Sequence, residues 1–293
     1  MNPSKLVVHK VIDEIVDSYG LVLPEGYKRR DPKEPGRAMK EAWEVELFKI
    51  FRLRFDAQAD MIRTWLEDNR LKNSGVNIPI DHPESDELLV QAFAGMMDDG
   101  LQQFSLANDI VLDYAAYNED ALFWVDSWVT DLTEMIDKTT GKRLERELTS
   151  FISEEGYTIG DVIDGLIGDV IDGLMASGLD SGRAEDIAVT EITRTFAKAE
   201  NAAGQQALAE FPDAKVIKTW YTNNDAMVCD ICRPLNELTV LINDQFVGEF
   251  DHPPAHKSCR CWMQSRTDIA DSIALGKPEI EVPGFDTVGG SDD

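Results

Sequence analysis

Two stretches decide how the C-terminal part of this chain folds: Cys229-Asp230-Ile231-Cys232 and Asp251-His252-Pro253-Pro254-Ala255-His256-Lys257-Ser258-Cys259-Arg260-Cys261. All four cysteines of the protein lie in them. Two cysteines separated by two residues form a tight turn that aims both thiolates at one point, and the second stretch supplies further thiolates and an imidazole. The sequence therefore predicts one structural Zn²⁺ site that joins the two stretches.

The candidate ligands outnumber the positions of a tetrahedral site. They are Cys229, Cys232, His256, Cys259 and Cys261, with His252 as the alternative imidazole. On this interpretation one of the last two cysteines is a buried thiol and not a ligand. Two alternatives stay open, namely reduced cysteines packed in a small core without metal, and disulfides. Because four protein ligands would fill the coordination sphere, the predicted metal is structural.

Length and composition predict a folded protein. The chain has 293 residues, 43% of them apolar, which is enough for a hydrophobic core. No run approaches the roughly 20 apolar residues that cross a bilayer, and the first residues contain acids where a signal peptide is apolar. Clustered cysteines also fit a reducing compartment better than a disulfide framework. We expect no membrane segment and synthesis in the cytoplasm.

The negative charge of the chain is unevenly distributed. The formal net charge is −27, and the segment from Asp81 to Asp137 contains fourteen acids but no Lys or Arg. Binding to nucleic acid depends on basic side chains that release counterions from phosphates, so this segment is expected to repel DNA. We interpret it as a solvated acidic surface, with a docking face for a basic partner as the alternative.

Composition and periodicity predict four parts and a fold class. The parts are a detachable arm and linker at 1–39, a helical body at 40–149, a module with the Cys/His site at 150–265, and a short helix with a flexible acidic tail at 266–293. Apolar spacing predicts helices at 40–72, 87–107, 108–117, 119–139 and 183–208. Alternation at 215–222 and 239–242 predicts a β-hairpin. The expected fold is mainly α with a small α+β C-terminal module stapled by zinc.

A tandem eight-residue repeat covers residues 160–175. Its aspartates suggest calcium binding, but a helical calcium loop needs alternating oxygen ligands and a terminal bidentate Glu. The apolar positions of the repeat instead predict a helix with one buried face.

An ordered series of motifs in the C-terminal half carries a family resemblance. The series is Arg183-Ala-Glu-Asp-Ile-Ala-Val-Thr-Glu191-Ile-Thr-Arg194, Asn201, Thr219-Trp220, Asp225, Cys229-x-x-Cys232 and Pro253-Pro254-x-His256-x-x-Cys259-Arg260-Cys261. Over roughly residues 150–265 the chain resembles the phage head morphogenesis family, the Mu F-like minor head proteins. The resemblance implies a non-enzymatic minor capsid protein of a tailed phage, present in few copies inside the head or at the portal vertex. It also implies assembly in the host cytoplasm, a place in the virion, and a link to DNA packaging or ejection.

The resemblance further implies partners, which are the portal protein and the major capsid or scaffolding protein. The arm and the helix at 40–72 are the surfaces expected to dock on them, because a segment with an apolar stripe can enter a groove. Any DNA contact should be confined to basic residues of the arm or of the C-terminal module, such as Lys28, Arg29, Arg30 and Arg37, or Lys257, Arg260 and Arg266.

One motif position departs from the family. Where the family usually has Arg-Thr-Glu, this chain has Val189-Thr190-Glu191, so the interaction of that arginine is absent or is supplied by Arg194. Glu191 and Arg194 lie three apart on one predicted helix and are expected to form a structural ion pair.

Two other function classes compete with the capsid interpretation. The Cys-x-x-Cys followed by Asp251-His252-x-Pro254 is similar to the first half of an HNH-type nuclease, in which His252 would be the general base. From Trp262 to the end, however, there is no His or Asn to complete a catalytic metal site. The other class is a zinc-stapled adaptor with no viral role.

Overall fold

A computed structural model describes residues 30–68, 82–112, 115–155, 179, 181–223 and 225–268. Within them the elements are helices α1 (Arg37–Asp68), α2 (Pro83–Asn108), α3 (Ala115–Glu155) and α4 (Ser181–Glu210), then strands β1 (Val216–Tyr221), β2 (Thr239–Leu241) and β3 (Trp262–Thr267), with a 3₁₀ turn at Arg233–Leu235. The antiparallel sheet has the order β2-β1-β3. A mainly helical fold with a small C-terminal sheet is thus confirmed. None of the described helices is long and apolar enough to cross a membrane.

The apolar stripe of α1 faces inward. Leu47, Phe51, Phe55 and Ile62 are fully buried in a core that also contains side chains of α2, α3 and α4. Burial of this stripe against neighbouring helices is what stabilises a helix of this kind. The described part of this stripe is therefore covered by the protein itself, and docking of residues 40–72 on a portal or capsid subunit stays a prediction.

A buried cation links three of the helices. Arg54 of α1 is fully buried and donates to both carboxylate oxygens of Asp137 on α3, at 2.7 and 2.8 Å. It also donates to Ser85 Oγ at 2.8 Å and to Asp86, both on α2. Gln58 Nε2 adds a hydrogen bond of 2.7 Å to Asp137. The cation is compensated by two carboxylates, which is the condition for burying a charge.

The helix predicted at 108–117 does not form as predicted. Helix α2 continues to Asn108 and ends because Asp109 adopts a left-handed conformation, with φ of 49°. A residue in that region closes a helix, since its amide turns back to a carbonyl of the last turn. The next helix begins at Ala115 and includes the predicted segment 119–139.

Helix α4 joins the helical body to the sheet. Ile192 and Phe196 belong to the large helical core, whereas Ala197 packs with Trp220 and Met263 in a second, smaller core. A Cβ on Gly100 of α2 would lie 2.5 Å from the Cβ of Ala199, so the two helices approach too closely there for a side chain. The module predicted at 150–265 therefore shares its main helix with the body.

Strand β3 was not among the predicted elements. It pairs with β1 along its whole length, from Trp262 opposite Tyr221 to Thr267 opposite Val216. Its other edge is covered by side chains: Glu200 Oε2 accepts from Ser265 N at 3.0 Å, and Asn108 Oδ1 accepts from Thr267 N at 2.9 Å. Edge groups satisfied in this way are not available to another strand.

The described part of the predicted arm is not detached. Arg30 is buried and pairs with Glu44 and, at 3.0 Å, with Glu34. Its Nη2 donates to Thr193 Oγ1 of α4 at 3.3 Å. These contacts hold residues 30–36 against α1 and α4, and they remove Arg30 from the surface on which DNA contact was predicted. Residues 1–29, the repeat at 160–175 and the tail after 268 lie outside the described residues.

Candidate metal centre

The first half of the predicted site is the turn that follows β1. Cys229 and Cys232 lie there, directly before the 3₁₀ turn. The amide of Cys232 donates to Cys229 Sγ at 3.4 Å, which curls the chain so that both sulfurs lie on one side. This arrangement of amides around the first sulfur is what a Cys-x-x-Cys turn contributes to a metal site.

The second half is the loop that leads into β3. His256 Nε2 lies 3.1 Å from Cys229 Sγ and 3.2 Å from Cys232 Sγ. Cys259 Sγ lies 3.9 Å from Cys232 Sγ. The five predicted ligands thus form two overlapping triads, Cys229/Cys232/His256 and Cys232/Cys259/Cys261, each with its ligand atoms within 4.8 Å of one another. Cys232 is common to both and is buried.

Helix α4 fixes the position of this loop. Thr193 Oγ1 donates to the carbonyl of Cys259 at 2.9 Å, and Thr190 Oγ1 accepts from the amide of Ser258 at 2.7 Å. Arg260 pairs with Asp225 Oδ2 at 2.6 Å, which ties the loop to the turn after β1. Both halves of the cluster are therefore positioned by groups outside it.

The imidazole of His256 is oriented for a ligand. Its Nδ1 lies 2.7 Å from the carbonyl of Lys257, so Nδ1 carries the proton and Nε2 faces the sulfurs. Burial lowers the pKa of this imidazole, but the Lys257 carbonyl and the nearby thiols raise it more, and the net shift is upward. In Cys229, burial opposes ionisation, yet amide hydrogen bonds from Cys232 and Ile231 lower the thiol pKa overall.

Hydrogen bonds among the buried thiols shift their pKa values in opposite directions. Hydrogen bonds with the thiols of Cys232 and Cys261 lower the pKa of Cys259, whereas hydrogen bonds with Cys259 and Cys261 raise the pKa of Cys232. Soft thiolates and one imidazole are the donor set that zinc prefers. The cluster borders a cavity of about 150 Å³, also lined by Asn223 and Arg260. The donor chemistry and the short distances fit a metal ion.

His252, the alternative imidazole, lies outside both triads. Its Nδ1 is 2.7 Å from the carbonyl of Pro253, and burial lowers its pKa to about 4. Lys198 and Arg194 of α4 add to that lowering. A general base of the HNH type needs an imidazole at the metal, and within the described residues His252 is not placed there.

Trp220 is the residue of this site whose role the sequence did not reveal. It is fully buried, crosses Phe246 edge to face with ring centroids 5.3 Å apart, and lies in the same small core as Cys261. It packs with Ala197 of α4 in the smaller core. Tyr221 instead stacks on Trp262 of β3, with ring centroids 4.1 Å apart.

The expected ion pair on α4 is present. Arg194 Nε lies 3.2 Å from Glu191 Oε2, and the same oxygen accepts from the indole of Trp128 at 2.7 Å. The guanidinium of Arg194 also lies over the Trp128 ring, 4.4 Å from its centroid. Arg194 therefore contacts α3. At Val189 a different arginine is present, because Arg30 Nη2 lies 3.5 Å from the Val189 carbonyl.

The fold and the cluster define a class of protein in which a helical body carries a small sheet with a Cys/His centre. Residues 139–264 match the family described as Phage Mu protein F like protein, a segment that includes α4, β1, β2, the first half of β3 and all five candidate ligands. Over this segment the chain is similar to the Mu F-like phage head morphogenesis proteins, which confirms the resemblance. No curated protein and no solved structure matches the chain.

Proposed function

We propose that the protein is a non-enzymatic minor capsid component that acts in head assembly of a tailed phage. The observation that carries this proposal is the Mu F-like match over the segment that contains the Cys/His cluster. On this proposal the chain works in the host cytoplasm while the procapsid forms and then stays in the virion, at or near the portal vertex. Its partners are the portal protein and the major capsid or scaffolding protein, and DNA packaging or ejection follows its incorporation.

The cluster would hold Zn²⁺ as a structural staple. His256 and thiolates from both halves would bind the ion, which would pin the loop before β3 to the turn after β1. Within the described part of the chain the smaller core contains eight buried residues, three of them cysteines, so it has few apolar groups to stabilise it alone. Metal binding would supply folding free energy that such a core lacks.

Incorporation into heads tests the assembly role. A phage that lacks this gene is supplied with the wild-type chain from a plasmid, and purified heads are analysed for the protein and for packaged DNA. The proposal expects the protein in the heads and a loss of viable heads without it. Normal yields of filled, infectious heads in its absence would contradict the proposal.

Elemental analysis tests the staple. Stoichiometric zinc is expected in the purified wild-type protein, with loss of zinc from Cys232→Ser and His256→Ala, because each removes a member of a triad. His252→Gln is the matched control and should keep its zinc, since this imidazole lies outside both triads. A wild-type protein without metal, or zinc retained in Cys232→Ser, would refute the ligand set.

A further inference from the structure

A groove between α2 and α3 is the strongest candidate for a docking surface. It has a volume of about 690 Å³, within the range of about 300–1,000 Å³ typical of binding pockets. Its lining residues come from the first turns of α2 and from the facing turns of α3: Pro83, Glu84, Asp86, Glu87, Val90, Asp126, Val129, Thr130 and Thr133. We call this the acidic groove.

The acidic groove is lined by four carboxylates and by no basic side chain among the described residues. Asp86 is paired with the buried Arg54, but no Lys or Arg lies within 4.0 Å of Glu84, Glu87 or Asp126 among the described residues. All three of these carboxylates are exposed. The segment from Asp81 to Asp137 has no basic residue, so its own sequence provides no cation for them. Clefts lined by one sign of charge raise the local concentration of the opposite sign.

Apolar surface accompanies this charge. Val129 and Val90 contribute aliphatic groups to the lining. Leu122 lies four residues before Asp126, on the same face of α3, and is 55% exposed. The neighbouring Phe123 is 75% exposed. Aromatic and aliphatic anchors beside complementary charge are the usual composition of a protein–protein contact.

We propose that the acidic groove docks a basic, amphipathic segment of a partner protein, with Lys or Arg side chains against Glu84, Glu87 and Asp126 and apolar side chains against Leu122. The described part of the α1 stripe is buried, whereas the groove offers an exposed surface for assembly contacts. The inference rests on the proposed function only for the identity of the protein that carries the segment. The carboxylates and exposed apolar side chains of the groove themselves determine that the bound segment is basic and amphipathic.

The test uses the full chain and a short fluorescent peptide of alternating lysine and leucine. Fluorescence polarisation should show binding that weakens with salt, and no binding of the same peptide with glutamate in place of lysine. The triple variant Glu84→Gln/Glu87→Gln/Asp126→Asn should lose about tenfold in affinity, because three exposed ion pairs disappear together. These side chains are exposed, so an unchanged melting temperature should accompany the loss.

A matched control separates the groove from net charge. Glu145→Gln/Glu210→Gln/Asp213→Asn removes the same charge from exposed positions outside the groove and should bind the peptide as the wild type does. Equal losses in both triple variants, or no binding by the wild type, would overturn the inference. Neither result bears on the proposed function, which is measured by incorporation into heads.

Discussion

At the scale of single residues, Glu200 makes the stability of the fold depend on pH. It is buried on α4, accepts from the amide of Ser265, and burial raises its pKa to about 7. A carboxyl whose folded pKa lies above its unfolded value adds stability below the unfolded pKa, and this is lost as the pH rises through the folded pKa. The loss for Glu200 should run from about 4.5 to about 7.

Glu200→Gln should flatten this pH dependence. Glutamine keeps a carbonyl oxygen for the Ser265 amide but carries no charge, so the variant should exceed the wild type at pH 8 by on the order of 2–3 kcal/mol. At pH 4.5 the two proteins should unfold at similar urea concentrations. Urea unfolding at both pH values measures the difference, and parallel curves for the two proteins would contradict the account.

At the same scale, the ligand types could be read from the sequence, but their arrangement could not. The spacing of Cys229 and Cys232 predicts a turn with two aligned sulfurs because that geometry is local. The choice between His252 and His256 depends on the tertiary structure, in which His252 Nδ1 lies at the Pro253 carbonyl and His256 Nε2 faces the thiols. The burial of Trp220 in one core with Cys261 depends on sheet pairing, so no local pattern indicates it.

At the scale of elements, Arg54 makes the packing of α1, α2 and α3 depend on one cation. Arg54→Leu would leave Asp137 half-buried without its partner, and burial already raises the pKa of that carboxyl. We expect a loss of roughly 3 kcal/mol in the free energy of unfolding, near the lower end for a broken buried pair because both carboxylates keep some solvent.

Arg63→Ala is the matched comparison on the same helix. Arg63 pairs with Asp60, and both side chains are exposed, so its removal should cost no more than about 0.5 kcal/mol. Chemical denaturation of both variants gives the two values. Equal losses would show that the buried cation does not link the helices as described.

The helices and the sheet differ in how far the sequence reveals them. Helices α1, α2 and α4 follow from the spacing of their apolar residues, which is a local property. The helix expected at 108–117 fails because one residue, Asp109, turns left-handed to let the chain reverse. Strand β3 lacks an alternating apolar pattern, and what holds it is at its edges: one edge pairs with β1 and the other is covered by Asn108 and Glu200. Only the three-dimensional structure supplies those partners.

At the scale of the whole molecule, the metal centre should govern one part of the fold. Removal of metal under reducing conditions should raise amide hydrogen exchange across 216–267 and leave α1 and α2 protected. The reason is that α4 buries Ile192 and Phe196 in the large core independently of the cluster. Mass spectrometry of exchanged peptides provides the measurement. A uniform rise over all described segments would show that the fold depends on the metal as one unit.

The ligands of the cluster follow α4 along the chain, so they are synthesised after the helical body. A ribosome releases the helical body first, and domains fold as they emerge. Thr190 and Thr193 are therefore in place on α4 before Ser258 and Cys259, which they later hold, have been made. On the proposed function, ion capture would be the last folding event and would occur on a preformed platform. Zinc supply in the infected cell would then set the pace at which newly made chains mature.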